Sequence, residues 1–155
     1  MIVTFALILS YIESHIPAFV AIPGVKIGLA NIAIIFALYR LGIKEAVGVS
    51  FLRIFLVSML FGNAASLIYS ISGAVLSLSV MILLQKLTPL TEVAVSVSGG
   101  VMHNVGQIAA ASIMLNTNVV IYYLPFLLLS GTIAGVVIGI ASAILIKRIP
   151  LKKIR

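Results

Sequence analysis

Apolar residues run along this chain in six long stretches, separated by short clusters of proline, glycine, asparagine and charge. The stretches cover about residues 2–16, 27–41, 43–61, 65–87, 93–115 and 120–146. Pro17 closes the first, the Pro23-Gly24 turn precedes the second, Pro89 breaks the chain before the fifth, and Asn116-Thr117-Asn118 precedes the sixth. A helix needs about 20 apolar residues to cross the hydrocarbon core of a bilayer, with a range of about 17–25. The last four stretches meet that length, whereas the first two are short, which predicts a tilted or incomplete crossing among them. Helices are expected throughout, because an open sheet leaves its edge groups unsatisfied in lipid. The pattern predicts an all-α integral membrane protein, with residues 1–155 forming one domain of six transmembrane helices. No basic residue precedes the first stretch and no small-x-small site follows it, so it reads as a span and not as a cleaved signal.

Composition agrees with this pattern. Hydrophobic residues make up 63% of the chain and charged residues only 8%, where soluble domains carry about 25% charged residues. Cysteine is absent, which excludes disulfides, thiolate metal sites and a cysteine nucleophile. Aspartate is absent too, so the side-chain carboxylates are Glu13, Glu45 and Glu92.

The net charge of +7 raises the question of nucleic acid, but the distribution of the charges answers otherwise. Placing both termini in the cytoplasm puts Arg40, Lys44, Lys86 and the tail residues Lys147, Arg148, Lys152, Lys153 and Arg155 inside. Only Lys26, in an outer loop, and Arg53, within a span, depart from that set. Basic residues concentrate on the cytoplasmic side of membrane proteins, so this orientation is expected, with no nucleic-acid partner.

Under that orientation the polar residues within the apolar stretches gather toward the outer half. Glu13 and His15 end the first span, Lys26 lies in the outer loop, and Asn31 follows just inside the second. Arg53 stands midway along the third. His103, Asn104 and Gln107 occupy the middle of the fifth, and Tyr122 and Tyr123 mark the outer edge of the sixth. Ionisable residues inside a span are costly and face a partner or a water-filled cavity. In the fifth span Ser96, Gly100, His103, Gln107, Ala110 and Met114 fall on one helical face, so His103 and Gln107 point together into the protein. Two readings follow. Arg53 with His103 reads as a binding site open to the outside, since a buried guanidinium needs an anionic or carbonyl partner. Asn104 and Gln107 taken alone read as polar contacts between helices, each contributing about 1 kcal/mol. Glu13 opposes an anion unless it pairs with Lys26 or Arg53. Tyr123 is either part of an interfacial aromatic belt or a substrate contact. The substrate-binding set is thus Glu13, Lys26, Asn31, Arg53, His103, Asn104, Gln107 and Tyr123.

Small residues recur at four-residue spacing in two places: Gly131, Gly135, Gly139 and Ala143 in the sixth span, and Ala6 with Ser10 in the first. Such stripes let helix backbones approach closely, within the bundle or against a partner subunit. No phosphate loop, HExxH or GxSxG sequence occurs. No catalytic residue, metal site or cofactor is expected.

The segments YIESHIP (11–17), PGVKIGLANIAII (23–35), HNVGQ (103–107) and YYLPFLLLSGTIAG (122–135) together resemble the Gx transporter family, long catalogued as heptaprenyl diphosphate synthase component I. The resemblance spans nearly the whole chain. That family is similar to the substrate-binding S-components of energy-coupling factor (ECF) transporters, six-helix proteins that capture a micronutrient outside the cell. The resemblance implies an S-component-like bundle with both termini cytoplasmic, multi-pass in the bacterial cell membrane. It further implies a transmembrane coupling protein and two cytoplasmic ATPase subunits as partners, with Ala6 and Ser10 facing the coupling protein. The catalogue name points elsewhere, to isoprenoid synthesis. Prenyl diphosphate synthases hold magnesium through aspartate-rich motifs, because hard cations take carboxylate oxygens. A chain without aspartate is not expected to catalyse that reaction, and the alternative role is a non-catalytic membrane subunit associated with such a synthase.

Overall fold

The structure, a computed structural model, describes residues 1–15 and 28–149. Six α-helices carry the fold: α1 (Ile2–His15), α2 (Asn31–Arg40), α3 (Ile43–Phe61), α4 (Ala64–Leu87), α5 (Glu92–Leu115) and α6 (Leu124–Arg148). A 3₁₀ helix over Val119–Tyr123 leads into α6, and no strand occurs among the described residues. Lys26, the Pro23-Gly24 turn and the tail beyond residue 149 lie outside the described residues.

The turn residues stop and start the helices for identifiable reasons. Asn63 caps α4: its side chain accepts from Ser66 N–H at 2.8 Å, while Asn63 N–H donates to the Ser66 hydroxyl at 2.9 Å. This reciprocal arrangement satisfies donors that a helix start otherwise leaves unpaired. Gly42 (φ +137°) lets the chain reverse between α2 and α3 in a conformation that other residues rarely adopt. Asn116 (φ +47°) ends α5 in the left-handed region. Pro125 sits in the first turn of α6, where its missing N–H costs no helical hydrogen bond.

The second helix is shorter than its apolar stretch, at 10 residues, and packing accounts for this. Ala33, Ile34, Ile35, Phe36, Ala37 and Leu38 are all buried, because α1, α3 and α6 enclose α2. A helix surrounded by protein need not match the thickness of a bilayer. Around it lie Ala6, Ala46, Val49, Leu78, Met81, Val95, Ile138 and Ile146, which complete the main core.

Among the described residues, two segments are long and apolar enough to cross a membrane, α4 and the continuous stretch Val119–Arg148. The helices α3 and α5 have the length but are less apolar: α3 carries Lys44, Glu45 and Arg53, and α5 carries His103, Asn104 and Gln107. The outer face of α6 exposes Ile133, Val136, Val137, Ile140 and Ile144, and α3 exposes Phe51, Leu52, Phe55 and Met59.

The tightest packing joins α5 to α4 on one side and to α6 on the other. A Cβ at Gly135 would lie 2.6 Å from Val97 Cα, and one at Gly139 would lie 2.7 Å from Val93 Cα. On the α4 side, a Cβ at Gly106 would meet Ser72 O at 2.7 Å. The glycine ladder of α6 therefore serves contact within the bundle. The Ala6/Ser10 stripe is also internal. Ala6 is 0% and Ser10 6% exposed, and the Ser10 hydroxyl donates to Ala6 O at 2.9 Å. The expectation that these two residues face a partner is therefore corrected: the side of α1 open to a neighbour presents Phe5, Ile8, Tyr11 and Ile12. Spacing marked the close approach but not its direction, since α2 and α3 lie against the same stripe.

Charge divides the bundle lengthwise. Arg40 donates through Nη2 to Ile146 O, joining the C-terminal ends of α2 and α6. Gln85 Nε2 donates to Leu38 O at 3.1 Å, bringing in the end of α4. Arg40, Lys44, Lys86, Lys147 and Arg148 all belong to helix ends at this pole, so Arg53 is the one cationic Lys or Arg placed elsewhere among the described residues.

Candidate functional site

At the opposite pole, the end of α1, the start of α2, the second half of α3 and the first half of α4 meet the middles of α5 and α6. They enclose a cavity of about 390 Å³. Every helix contributes to its wall. Glu13 comes from α1, Asn31 and Ile35 from α2, Arg53 and Val57 from α3, Tyr69 from α4, His103, Asn104 and Gln107 from α5, and Gly131, Gly135 and Ile138 from α6.

Glycines make room for several of these groups. A Cβ at Gly73 would lie 2.9 Å from both Cε1 and Nδ1 of His103, so the bare backbone of α4 receives the imidazole. A Cβ at Gly131 would lie 2.7 Å from Nδ2 of Asn104, leaving space for that amide to donate to Leu127 O at 2.6 Å. Asn104 is thus an interhelical contact between α5 and α6 as well as part of the wall. Gly28 (φ +79°) adopts a conformation that favours glycine, and its N–H donates to Oε1 of Glu13.

Two opposite charges stand in this wall. Glu13 is buried, at 9% exposure, and its carboxylate is close enough to influence Arg53 electrostatically. Arg53 lines the cavity, and its Nε is buried without a hydrogen-bond partner. A buried donor left unpaired costs about 1–3 kcal/mol, more when charged. The arrangement therefore stores binding capacity for a ligand that supplies an oxygen acceptor.

The structure brings together six of the eight residues expected to bind substrate: Glu13, Asn31, Arg53, His103, Asn104 and Gln107. Lys26 lies outside the described residues. Tyr123 is a correction. It is 49% exposed and stands in the 3₁₀ segment ahead of α6, away from the cavity wall. A polar edge on an apolar run fits an interfacial position as well as a site, and only packing separates the two. On α5, Gly99 joins the wall and Met114 at the helix end is exposed. The sequence reading missed the wall formed by α4, with Ser66, Tyr69, Ser70 and Ser77, along with Ser58 and Asn63 ahead of it. Positions 66, 70, 73 and 77 share one helical face, and that stripe of serine and glycine was the available signal.

A family model described as heptaprenyl diphosphate synthase component I matches residues 2–145, from the start of α1 almost to the end of α6. The chain belongs to this family. No curated protein and no solved structure matches it. In this member of the heptaprenyl diphosphate synthase component I family, the matched region contains the whole cavity wall, Glu13 to Ile138.

Proposed function

We propose that this chain is a non-catalytic membrane subunit that binds a small polar ligand bearing an anionic group, in the manner of an S-component of an ECF-type uptake transporter. The observation that carries this reading is the Arg53 guanidinium, set in a cavity wall with a buried, unpaired Nε. Polar side chains share the wall with it. His103, Asn31 and Gln107 supply donors and acceptors to orient a ligand, while Ile35, Val57 and Ile138 supply apolar surface. A few placed polar groups in a largely apolar concavity are the usual make-up of a small-molecule site.

The apolar outer faces of α3 and α6 support membrane embedding. Contiguous apolar surface on this scale marks an interaction with lipid or protein. In this reading the basic pole lies in the cytoplasm and the cavity faces outward, where an uptake system meets its ligand. Energy would come from separate ATPase subunits acting through a coupling protein.

The family description favours a second reading, because "component I" implies at least one further component. In it the chain is the non-catalytic membrane partner of a heptaprenyl diphosphate synthase. Catalysis by this chain itself fits poorly in both readings. Glu45 and Glu92 begin α3 and α5 at the basic pole, while Glu13 ends α1 at the other, so the carboxylates do not converge on a magnesium diphosphate.

Affinity capture of the tagged protein from gently solubilised native membranes tests the two. Capture of a coupling protein with two ATPases, and uptake lost in Arg53→Ala, supports the transporter reading. Capture of a prenyl synthase subunit whose activity rises on adding this chain, with no uptake defect, rejects it in favour of the second.

A further inference from the structure

We propose that the cavity takes a zwitterion of the α-amino-acid kind, with its carboxylate on Arg53, its ammonium on Glu13 and an apolar side chain against the aliphatic wall. This deepens the ligand-binding reading above, on which it rests, by naming the class of ligand.

The argument starts from Glu13. A cavity meant only for an anion is weakened by a carboxylate in its wall, yet Glu13 is there and its charge reaches Arg53. Both side chains are in the same cavity wall, and among the described residues no direct salt bridge joins them. Each is thus held near the other but not neutralised by contact. Glu13 gives one oxygen to the Gly28 N–H, which fixes its position and leaves the second oxygen for another donor. Arg53 Nε has no partner, and the planar guanidinium fork suits a carboxylate. Truncating or ignoring one member of such a buried pair leaves an uncompensated charge. A ligand that carries both charges answers both groups at once.

Charge balance narrows the class further. Among the described Lys, Arg and Glu residues in the wall, one guanidinium and one carboxylate sum to zero, so a net-neutral ligand adds no residual charge to that pair in a low-dielectric site. A diphosphate brings two or more negative charges, which one guanidinium beside Glu13 does not balance. Ile35, Ile54, Val57, Met81 and Ile138 give the wall an aliphatic part, which suits an apolar side chain better than a second charge.

The test uses the purified full chain in detergent and calorimetric titration with leucine, isoleucine, valine, methionine, phenylalanine and tyrosine. Each is compared with its N-acetyl derivative, an anion only, and with its carboxamide, a cation only. The expected result is saturable binding of at least one free amino acid, with both derivatives at least tenfold weaker on the wild-type protein. Glu13→Gln should then shift the preference toward the N-acetyl anion by at least tenfold. An N-acetyl anion that binds as tightly as its parent overturns the zwitterion and leaves an anion-binding subunit standing. Failure of all six amino acids to bind also overturns it. Loss of the larger claim is separate: it follows if no small molecule copurifies with the native protein, or if the same one copurifies with Arg53→Ala.

Discussion

Replacing Gly135 with alanine should open the α5–α6 seam, and the size of the effect follows from what the new methyl would meet. Its Cβ would lie 2.6 Å from Val97 Cα, 3.1 Å from Val97 N and 3.2 Å from Ser96 O. All three are backbone atoms, so no rotamer change relieves the overlap and the helices must separate. Overpacking a tight core costs about 1–3 kcal/mol, and a backbone-on-backbone clash belongs at the upper end. Gly→Ala in a helix returns up to about 1 kcal/mol through propensity, leaving a net loss of about 1–2 kcal/mol. Gly48 is the internal control. It lies within α3, is exposed, and a Cβ there meets nothing within 4 Å, so Gly48→Ala should be neutral or stabilise by up to about 1 kcal/mol. The two variants should therefore differ by about 1–3 kcal/mol in reversible unfolding of the detergent-solubilised protein. Equal stability of Gly135→Ala and Gly48→Ala would refute the close approach of α5 and α6 and with it the placement of His103, Asn104 and Gln107.

Asn104→Ala should lower stability by about 0.6–1.7 kcal/mol, the range measured for interhelical hydrogen bonds in membranes, through loss of the bond to Leu127 O. Thermal unfolding that is unchanged would show the contact to be idle. Gly73→Ala should cost ligand affinity, about tenfold, since its methyl would displace the His103 ring from 2.9 Å; titration with the ligand that copurifies with wild type checks this, and unaltered affinity would place His103 outside the site. Arg40→Ala should destabilise by about 1–2 kcal/mol, because Arg40 satisfies the Ile146 carbonyl in the last turn of α6. An unfolding midpoint equal to that of wild type would show that water replaces the guanidinium without loss.

The helices were legible because apolar runs and their breakers act locally. Pro89, Asn63 and Asn116 end or start helices within a residue or two of where the apolar pattern changes. The shared face of His103 and Gln107 was legible too, since helical period alone sets it. What the pattern does not carry is the neighbour of each face. Ala6 and Ser10 look alike whether α2 or another protein packs against them, and Tyr123 looks alike at a cavity or at an interface. The α4 wall was hidden for the opposite reason. Serine is common in membrane helices and bonds back to its own helix, as Ser79 does to Val75 O at 2.7 Å. A stripe such as Ser66, Ser70 and Ser77 therefore carries little signal until α5 is seen to face it. Glu13 was the residue hardest to place from the sequence, because an acid facing an anion site looks like a contradiction until both Glu13 and Arg53 are seen in one cavity wall.

Native mass spectrometry of the protein gently extracted from its own membranes, wild type beside Arg53→Ala, tests the central claim most directly. A cavity of about 390 Å³ lined by Arg53, whose Nε is buried without a hydrogen-bond partner, predicts a small-molecule adduct on the wild type that is absent from an equally folded Arg53→Ala protein. The same adduct on both proteins, or none on either, would contradict it.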